Sequence, residues 1–213
     1  MKKILTILMI LAALFAFVAC DTGNGSNGGG VGNVIPNPEA VAKEFEDCST
    51  TIDASNVSFA DGEWTVIGTY SDEASSQAIT VQATVKDGYF TYTSGTMAST
   101  IDVEKTFQQM PEDEMPKDKK QEMIAALKAA TDEEKTAMME ELQGKMPAGA
   151  KITWNGLIYS GSFPFDQEWL NDFNEILQFS ENLDYFAVKT NADNTKYVLS
   201  GDENKTYYLE KNN

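Results

Sequence analysis

Carboxylates are the side chains in this sequence with the greatest capacity for chemistry, and they form three short clusters. The clusters are Glu112-Asp113-Glu114, Asp132-Glu133-Glu134 and Asp202-Glu203. Two carboxylates that flank a glycosidic bond can hydrolyse it as an acid and a base or nucleophile. Adjacent acidic residues are also what solvation and the helix dipole favour at helix starts and in turns. We therefore interpret the three clusters as solvated surface.

The basic residues limit the available chemistry further, because all 16 of them are Lys and the chain contains no His and no Arg. Without His there is no His general base, no Ser-His-Asp or Cys-His arrangement and no His metal ligand. Without Arg the chain lacks the side chain that binds phosphate in bidentate fashion. We expect a protein that is not an enzyme, with no catalytic residues, no metal site and no cofactor.

Two kinds of metal site, for Ca²⁺ and for Cu(I), could be built from residues of this chain. The acidic loops lack the ligand spacing of an EF-hand, so a looser Ca²⁺ site in the loops at 191–204 is the alternative that stays open. Methionines can bind Cu(I) or form adaptable surfaces, but here their spacing follows helix packing and indicates core filling. These methionines are Met110, Met115, Met123, Met138, Met139 and Met146.

The net charge of −17 bears on the class of partner. Nucleic-acid binding requires a basic patch, so we expect no nucleic-acid partner. An acidic surface favours solubility and repels anionic membrane surfaces. A cation-binding surface is the alternative.

The hydrophobic pattern of the first half predicts a short helix followed by a β-meander. Pro38 suits the first helical position after an Asn37 cap, and the apolar face of a helix over 38–48 would carry Val41, Phe45 and Cys48. A period of two then predicts strands at 55–59, 63–70, 77–86, 89–96 and 98–104.

The turns of this meander are Asp61-Gly62 and Asp87-Gly88, of which the second is the strongest hairpin signal. On the strand predicted at 77–86, the face that carries Val81, Ala83 and Val85 is predicted to be buried and the opposite face to be exposed to solvent.

A helical hairpin is predicted at about 112–146. Pro116 precedes a helix over 117–130, Thr131 to Glu134 is a capping box that opens a second helix to about Gln143, and Gly144 and Pro147 end it.

The remainder predicts a strand over 151–159, a helix and a second meander. Asp166 caps a helix over 166–179 whose apolar face carries Trp169, Leu170, Phe173, Ile176 and Leu177. The meander strands are predicted at 184–190, 195–200 and 205–210. The expected fold class is α+β: an antiparallel sheet from two β-meanders, packed by the amphipathic helix, with the helical hairpin inserted.

The first twenty residues predict export. Lys2 and Lys3 precede an apolar run over 4–19, which is the layout of a signal peptide and is shorter than the ~20 residues that span a bilayer core. An uncleaved membrane anchor is the alternative. The segment Phe17-Val18-Ala19-Cys20 resembles the lipobox of bacterial lipoproteins, in the relaxed form of spirochaetes.

That resemblance implies that the Cys20 thiol receives a diacylglycerol and that signal peptidase II then cuts before Cys20, so that residues 1–19 are the signal peptide. The mature chain would have 14 Lys against 33 acidic residues, a net charge of −19. The localisation implied is the cell envelope, with the membrane as a partner through the lipid on Cys20. Residues 20–35 are then the lipidated Cys and a Gly/Asn/Ser-rich tether, and 36–213 a single domain.

Lipidation of Cys20 would leave Cys48 without a partner in the chain, as a free thiol or an intermolecular disulfide. We interpret Cys48 as a buried hydrophobic side chain near a helix end.

Two function classes follow. The first is a non-catalytic binding or interaction role for a membrane-anchored exported lipoprotein. The second is a carrier of a small apolar ligand in a pocket between sheet and helices, because Gly62-Glu63-Trp64 resembles the Gly-x-Trp of lipocalin-like barrels. A deep apolar cavity would favour the carrier, whereas a filled core with exposed apolar side chains would favour the interaction protein.

Overall fold

The computed structural model describes residues 38–146, 148–155, 157–201 and 204–212. The predicted signal peptide, Cys20, the tether, the Asn37 cap, Pro147 and the Asp202-Glu203 cluster lie outside the described residues. The helices are α1 (Pro38–Glu44), α2 (Val103–Gln109), α3 (Lys117–Ala129), α4 (Asp132–Lys145), α5 (Gln167–Ile176) and α6 (Phe179–Asn182). The strands are β1 (Thr50–Ile52), β2 (Gly62–Ser71), β3 (Ser75–Lys86), β4 (Tyr89–Asp102), β5 (Lys151–Asn155), β6 (Ile158–Pro164), β7 (Ala187–Thr190), β8 (Lys196–Ser200) and β9 (Lys205–Lys211).

The described strands form one open sheet in the order β1-β7-β8-β9-β2-β3-β4-β6-β5. The two predicted meanders are present as β2-β3-β4 and β7-β8-β9, and the antiparallel pairing of β9 with β2 joins them. The α+β fold class is therefore confirmed.

The described residues divide into two compact units. The helical unit comprises 73–75 and 100–163, and the sheet unit comprises 38–72, 76–99 and 164–212, each within the described ranges. The prediction of a single domain over 36–213 stays a prediction.

The Asp87-Gly88 hairpin confirms the strongest local signal of the sequence. Asp87 and Gly88 have φ values of 53° and 79°, which the primed two-residue turns require. Val81, Ala83 and Val85 are at most 1% exposed, so this face of β3 is buried as predicted.

Several predicted boundaries were wrong, each for a local reason. Residues 55–59 are not a strand: Ala54–Asn56 is a 3₁₀ turn, because the carboxylate of Asp53 accepts hydrogen bonds from the N–H and the hydroxyl of Ser55. The predicted strands at 89–96 and 98–104 are one strand, β4. It ends at Asp102, whose side chain accepts from the N–H of Lys105 and caps α2.

Three further predictions need correction. The strand predicted over 151–159 is the hairpin of β5 and β6. The helix predicted over 38–48 ends at Glu44, although its apolar stripe is buried as expected. Gly144 does not end α4, which continues to Lys145.

The helical unit has its own core, to which both helices of the predicted hairpin contribute. The capping box is confirmed: the Thr131 hydroxyl accepts from the N–H of Glu134, and the Glu134 carboxylate accepts from the N–H of Thr131. The buried members of the core are Ile101, Val103, Phe107, Leu127, Met138, Leu142 and Tyr159. The other predicted core methionines, Met110, Met115, Met123, Met139 and Met146, pack against them partly buried.

The sheet unit is filled by aromatic side chains. Trp64 is fully buried, and its indole N–H donates to the carbonyl of Ala60 at 2.9 Å. Phe59 contacts Trp64, Phe90 and Tyr197 edge to face, with ring centroids 5.0 to 5.8 Å apart. Rings in this geometry contribute about 0.5–1.5 kcal/mol each beyond area burial.

Helix α1 is attached to the sheet unit by a small separate cluster. Val41, Phe45 and Cys48 pack with Tyr208 of β9. The ammonium of Lys196 on β8 lies 5.3 Å from the centre of the Phe45 ring and donates to the carbonyl of Glu44 at 2.9 Å.

Candidate functional site

The structure places the two acidic clusters that it describes, at 112–114 and 132–134, on exposed surface. All three residues of the 112–114 cluster are exposed. In the 132–134 cluster, Glu134 is used by the capping box and Asp132 lies 3.8 Å from the ammonium of Lys135. Among the described residues, no group of three His, Cys, Asp or Glu side chains is placed to hold a metal ion.

In the loop at 191–194, the side-chain oxygen of Asn191 accepts hydrogen bonds from nearby backbone N–H groups, so it is not available as a metal ligand. The side-chain oxygen of Asn191 accepts from the N–H groups of Thr195 and Lys196 at 3.0 and 3.1 Å. The same Asn191 donates to the hydroxyl of Thr195. This amide therefore holds the turn between β7 and β8.

Cys48 is buried and is not in a disulfide. Burial, and after it the neighbouring Asp47 carboxylate, raise the pKa of the thiol to about 11, although the Lys196 ammonium acts in the opposite direction. A thiol with this pKa stays protonated at neutral pH and is a poor nucleophile. Its contribution is to packing.

Among the described residues, a groove in the helical unit is a candidate place for a ligand. It has a volume of about 550 Å³. One face of α3 lines it with residues spaced at three and four, and α2 contributes residues four apart. The polar side chains from these helices are Glu104, Gln108, Lys117, Lys120, Gln121 and Lys128. We call this the α2–α3 groove.

Lys120 is the unusual member of this groove, because it is only 8% exposed although it carries a charge. Its ammonium donates to the carbonyl of Met110, which follows α2. The C-terminal end of a helix carries partial negative charge, so an ammonium is stabilised there. Within the described part of the chain this carbonyl is the only hydrogen-bond acceptor for Lys120.

Lys128 and Glu104 join the two helices of the groove by an ion pair of 2.8 Å. Their side chains are 53% and 35% exposed, so the pair contributes less than about 1 kcal/mol. Its effect is to neutralise both charges within the α2–α3 groove.

The sequence analysis did not single out Lys120, although the sequence contains a signal for it. Lys120 precedes Met123 by three residues and Leu127 by seven, so it continues the apolar stripe of α3. A Lys on the buried face of a helix is rarely buried without a partner.

Within the sheet unit, aromatic side chains fill the layer between α5 and the sheet. Phe165 stacks on Trp169 at 5.4 Å and on Phe173 at 5.0 Å, and Phe173 contacts Tyr92 at 6.1 Å. The Tyr92 hydroxyl donates to the carbonyl of Leu177 at 2.6 Å, and burial raises its pKa well above the usual range.

Not all predicted members of the α5 face point inward. Leu170 is buried and Trp169, Phe173 and Leu177 are half-buried, but Ile176 is 75% exposed. The prediction was wrong for Ile176 because α5 ends there, and Leu177 has φ −98° and ψ 62°, outside helical geometry. Tyr89 and Tyr185 are the other large apolar side chains that are exposed among the described residues.

No family model, no curated protein and no solved structure matches this chain. Within the part of the chain that the structure describes, no helix is long and apolar enough to cross a membrane.

Proposed function

We propose that this chain is a membrane-anchored exported lipoprotein with a non-catalytic binding role, and that the α2–α3 groove is its binding site. The groove is the observation that carries this proposal. Its volume of about 550 Å³ lies within the range of small-molecule sites, and its lining combines convergent polar side chains with apolar contact from Ile124 and Ala125.

The membrane anchor of this proposal rests on the sequence. A basic start, a short apolar run and Ala19-Cys20 at its end support lipidation of Cys20. Two or three acyl chains on one cysteine give stable attachment, where a single chain gives marginal binding.

The ring contacts around α5 support a surface groove over an interior pocket as the binding site. The carrier alternative needs space between sheet and helices, and in the sheet unit Phe165, Phe173 and Tyr92 occupy that layer.

Filling the α2–α3 groove tests this function. Ala125 is exposed and lines the groove, so Ala125→Trp should block it without disturbing a core. Native mass spectrometry of the full lipidated chain, purified in detergent and exposed to an extract of envelope small molecules, should show a bound mass on the wild type and loss of it in the variant.

Ala137→Trp is the matched control, because Ala137 is exposed on α4 and lies outside the groove. This control should retain the bound mass. A wild-type chain that gains no mass, or an Ala125→Trp variant that binds as well as the control, would contradict the assignment of the groove.

A further inference from the structure

We infer that the ligand of the α2–α3 groove carries a carboxylate, and that the Lys120 ammonium donates hydrogen bonds to it. This inference rests on the proposed binding role of the groove and adds the chemical class of the ligand.

The hydrogen-bonding capacity of Lys120 is the first argument. An ammonium has three N–H donors, and within the described residues Lys120 has one acceptor, the carbonyl of Met110. The residue is 8% exposed and lines the α2–α3 groove, so a ligand in the groove would replace the little water that reaches it. A buried charge is costly unless it is paired and hydrogen-bonded. A ligand oxygen at this position would accept a hydrogen bond from an N–H of Lys120 that no described residue accepts.

The charge of the groove is the second argument. Glu104 and Lys128 neutralise one another as an ion pair. The remaining ionisable side chains of the lining are Lys117, Lys120 and Glu112, which leaves one excess positive charge in a chain whose net charge is −17. The partial negative charge at the end of α2 is roughly half an elementary charge at most and does not cancel it.

The size of that excess selects the class of anion. A carboxylate carries a single negative charge and matches one excess positive charge, whereas a phosphomonoester carries about −1.5 to −2 at neutral pH. Phosphate sites also favour Arg, which this chain does not contain. A carboxylate is therefore the better match.

The rest of the lining indicates the body of the ligand. The amides of Gln108 and Gln121 offer donors and acceptors for neutral polar groups, and Ile124 and Ala125 offer apolar contact. A short peptide with a free C-terminus combines a carboxylate with amide groups, and it is the ligand type that this lining fits.

The test compares an acid with its amide. The full lipidated chain in detergent micelles, with ¹³C-labelled isoleucine methyl groups, is titrated with N-acetyl-glycyl-glycine and with the C-terminal amide of the same peptide. Because Ile124 lines the groove, the Ile124 methyl resonance reports on it. The acid should shift this resonance with an affinity at least about tenfold higher than that of the amide, the factor expected for a charge-assisted hydrogen bond.

Substitutions assign the effect to the groove. Lys120→Gln should weaken binding of the acid at least about tenfold and leave the weak binding of the amide unchanged. Lys119→Gln is the matched control, because Lys119 is exposed on the same helix, pairs with Glu122 and does not line the groove. It should bind the acid like the wild type.

A variant at an exposed position keeps the test decisive if Lys120→Gln fails to fold. Ala125→Glu adds a negative charge to the groove and should also weaken binding of the acid, whereas Ala137→Glu should not. Equal affinities for acid and amide, no shift with either probe, or unchanged binding in Ala125→Glu would overturn the carboxylate assignment. The binding role of the groove fails separately, if Ala125→Trp retains the bound mass.

Discussion

At the scale of single residues, Gly95 marks a close approach of two segments within the sheet unit. A Cβ atom on Gly95 would lie 2.5 Å from Cδ2 of Phe165 and 2.6 Å from Cγ1 of Val81. The same position carries the backbone bond from the N–H of Phe165 to the Gly95 carbonyl at 2.8 Å. Gly95 therefore permits β4 and the start of the α5 segment to approach each other.

This close approach predicts that a methyl group added at Gly95 destabilises the fold. Gly95→Ala should lower the free energy of unfolding by about 1–3 kcal/mol, because the added methyl group must displace a packed ring. Chemical denaturation of the full chain measures the change. Gly144→Ala is the control, since nothing lies within 4 Å of its added Cβ, and it should be neutral or slightly stabilising. Equal effects of the two substitutions would contradict the packing argument.

Residues whose role is set by local chemistry were predictable, whereas the hydrogen-bond partner of Lys120 was not. Asp87-Gly88, the Thr131–Glu134 box and the Asp166 cap act through neighbours in the sequence, so their patterns identify them. Lys120 acts through the carbonyl of Met110, ten residues earlier and beyond a helix end. Its role depends on how α2 and α3 meet, and no local pattern encodes that.

At the scale of elements, α5 ends earlier than the helical periodicity of its sequence predicts. The helical pattern continues through Ile176 and Leu177, but the helix ends at Ile176 because the chain turns into α6. The side-chain amide of Gln178 then bonds both the N–H and the carbonyl of Phe90. This buried pairing with β4 is a tertiary contact just beyond the helix end, and a sequence pattern that placed the end too late does not contain it.

A substitution in α5 distinguishes a core helix from a docking helix. Phe173→Ala should lower the free energy of unfolding by about 2–4 kcal/mol, somewhat below the range of fully buried Phe, because Phe173 is half-buried between Phe165 and Tyr92. Ile176→Ala is the control and should change it by less than about 0.5 kcal/mol, since Ile176 is 75% exposed. Denaturation midpoints that are unchanged in Phe173→Ala would indicate that these rings are not part of the core.

At the scale of the whole molecule, the proposed attachment to the membrane depends on one thiol, that of Cys20. Cys20→Ala should abolish incorporation of labelled palmitate and leave the signal segment uncleaved, because the acylated Cys is what signal peptidase II requires in the lipoproteins that this lipobox resembles. Metabolic labelling followed by intact mass measurement checks both effects. Cys48→Ala is the control, and it should incorporate palmitate like the wild type. Equal incorporation in Cys20→Ala and in this control would refute the anchor.

The attachment of α1 has a mechanical consequence for a chain that is tethered at its N-terminal side. Tension that arrives along the tether reaches α1 before any strand, and α1 is held by the Val41, Phe45 and Cys48 cluster and by Lys196. Lys196 also lies 3.7 Å from both Asp47 and Glu210, so it links the α1 region to two strands of the second meander. If the proposed tether pulls on the chain, this small cluster bears the load first, and the strands bear it only after the cluster has parted. Because these contacts are few and partly electrostatic, α1 would then yield before the aromatic core does.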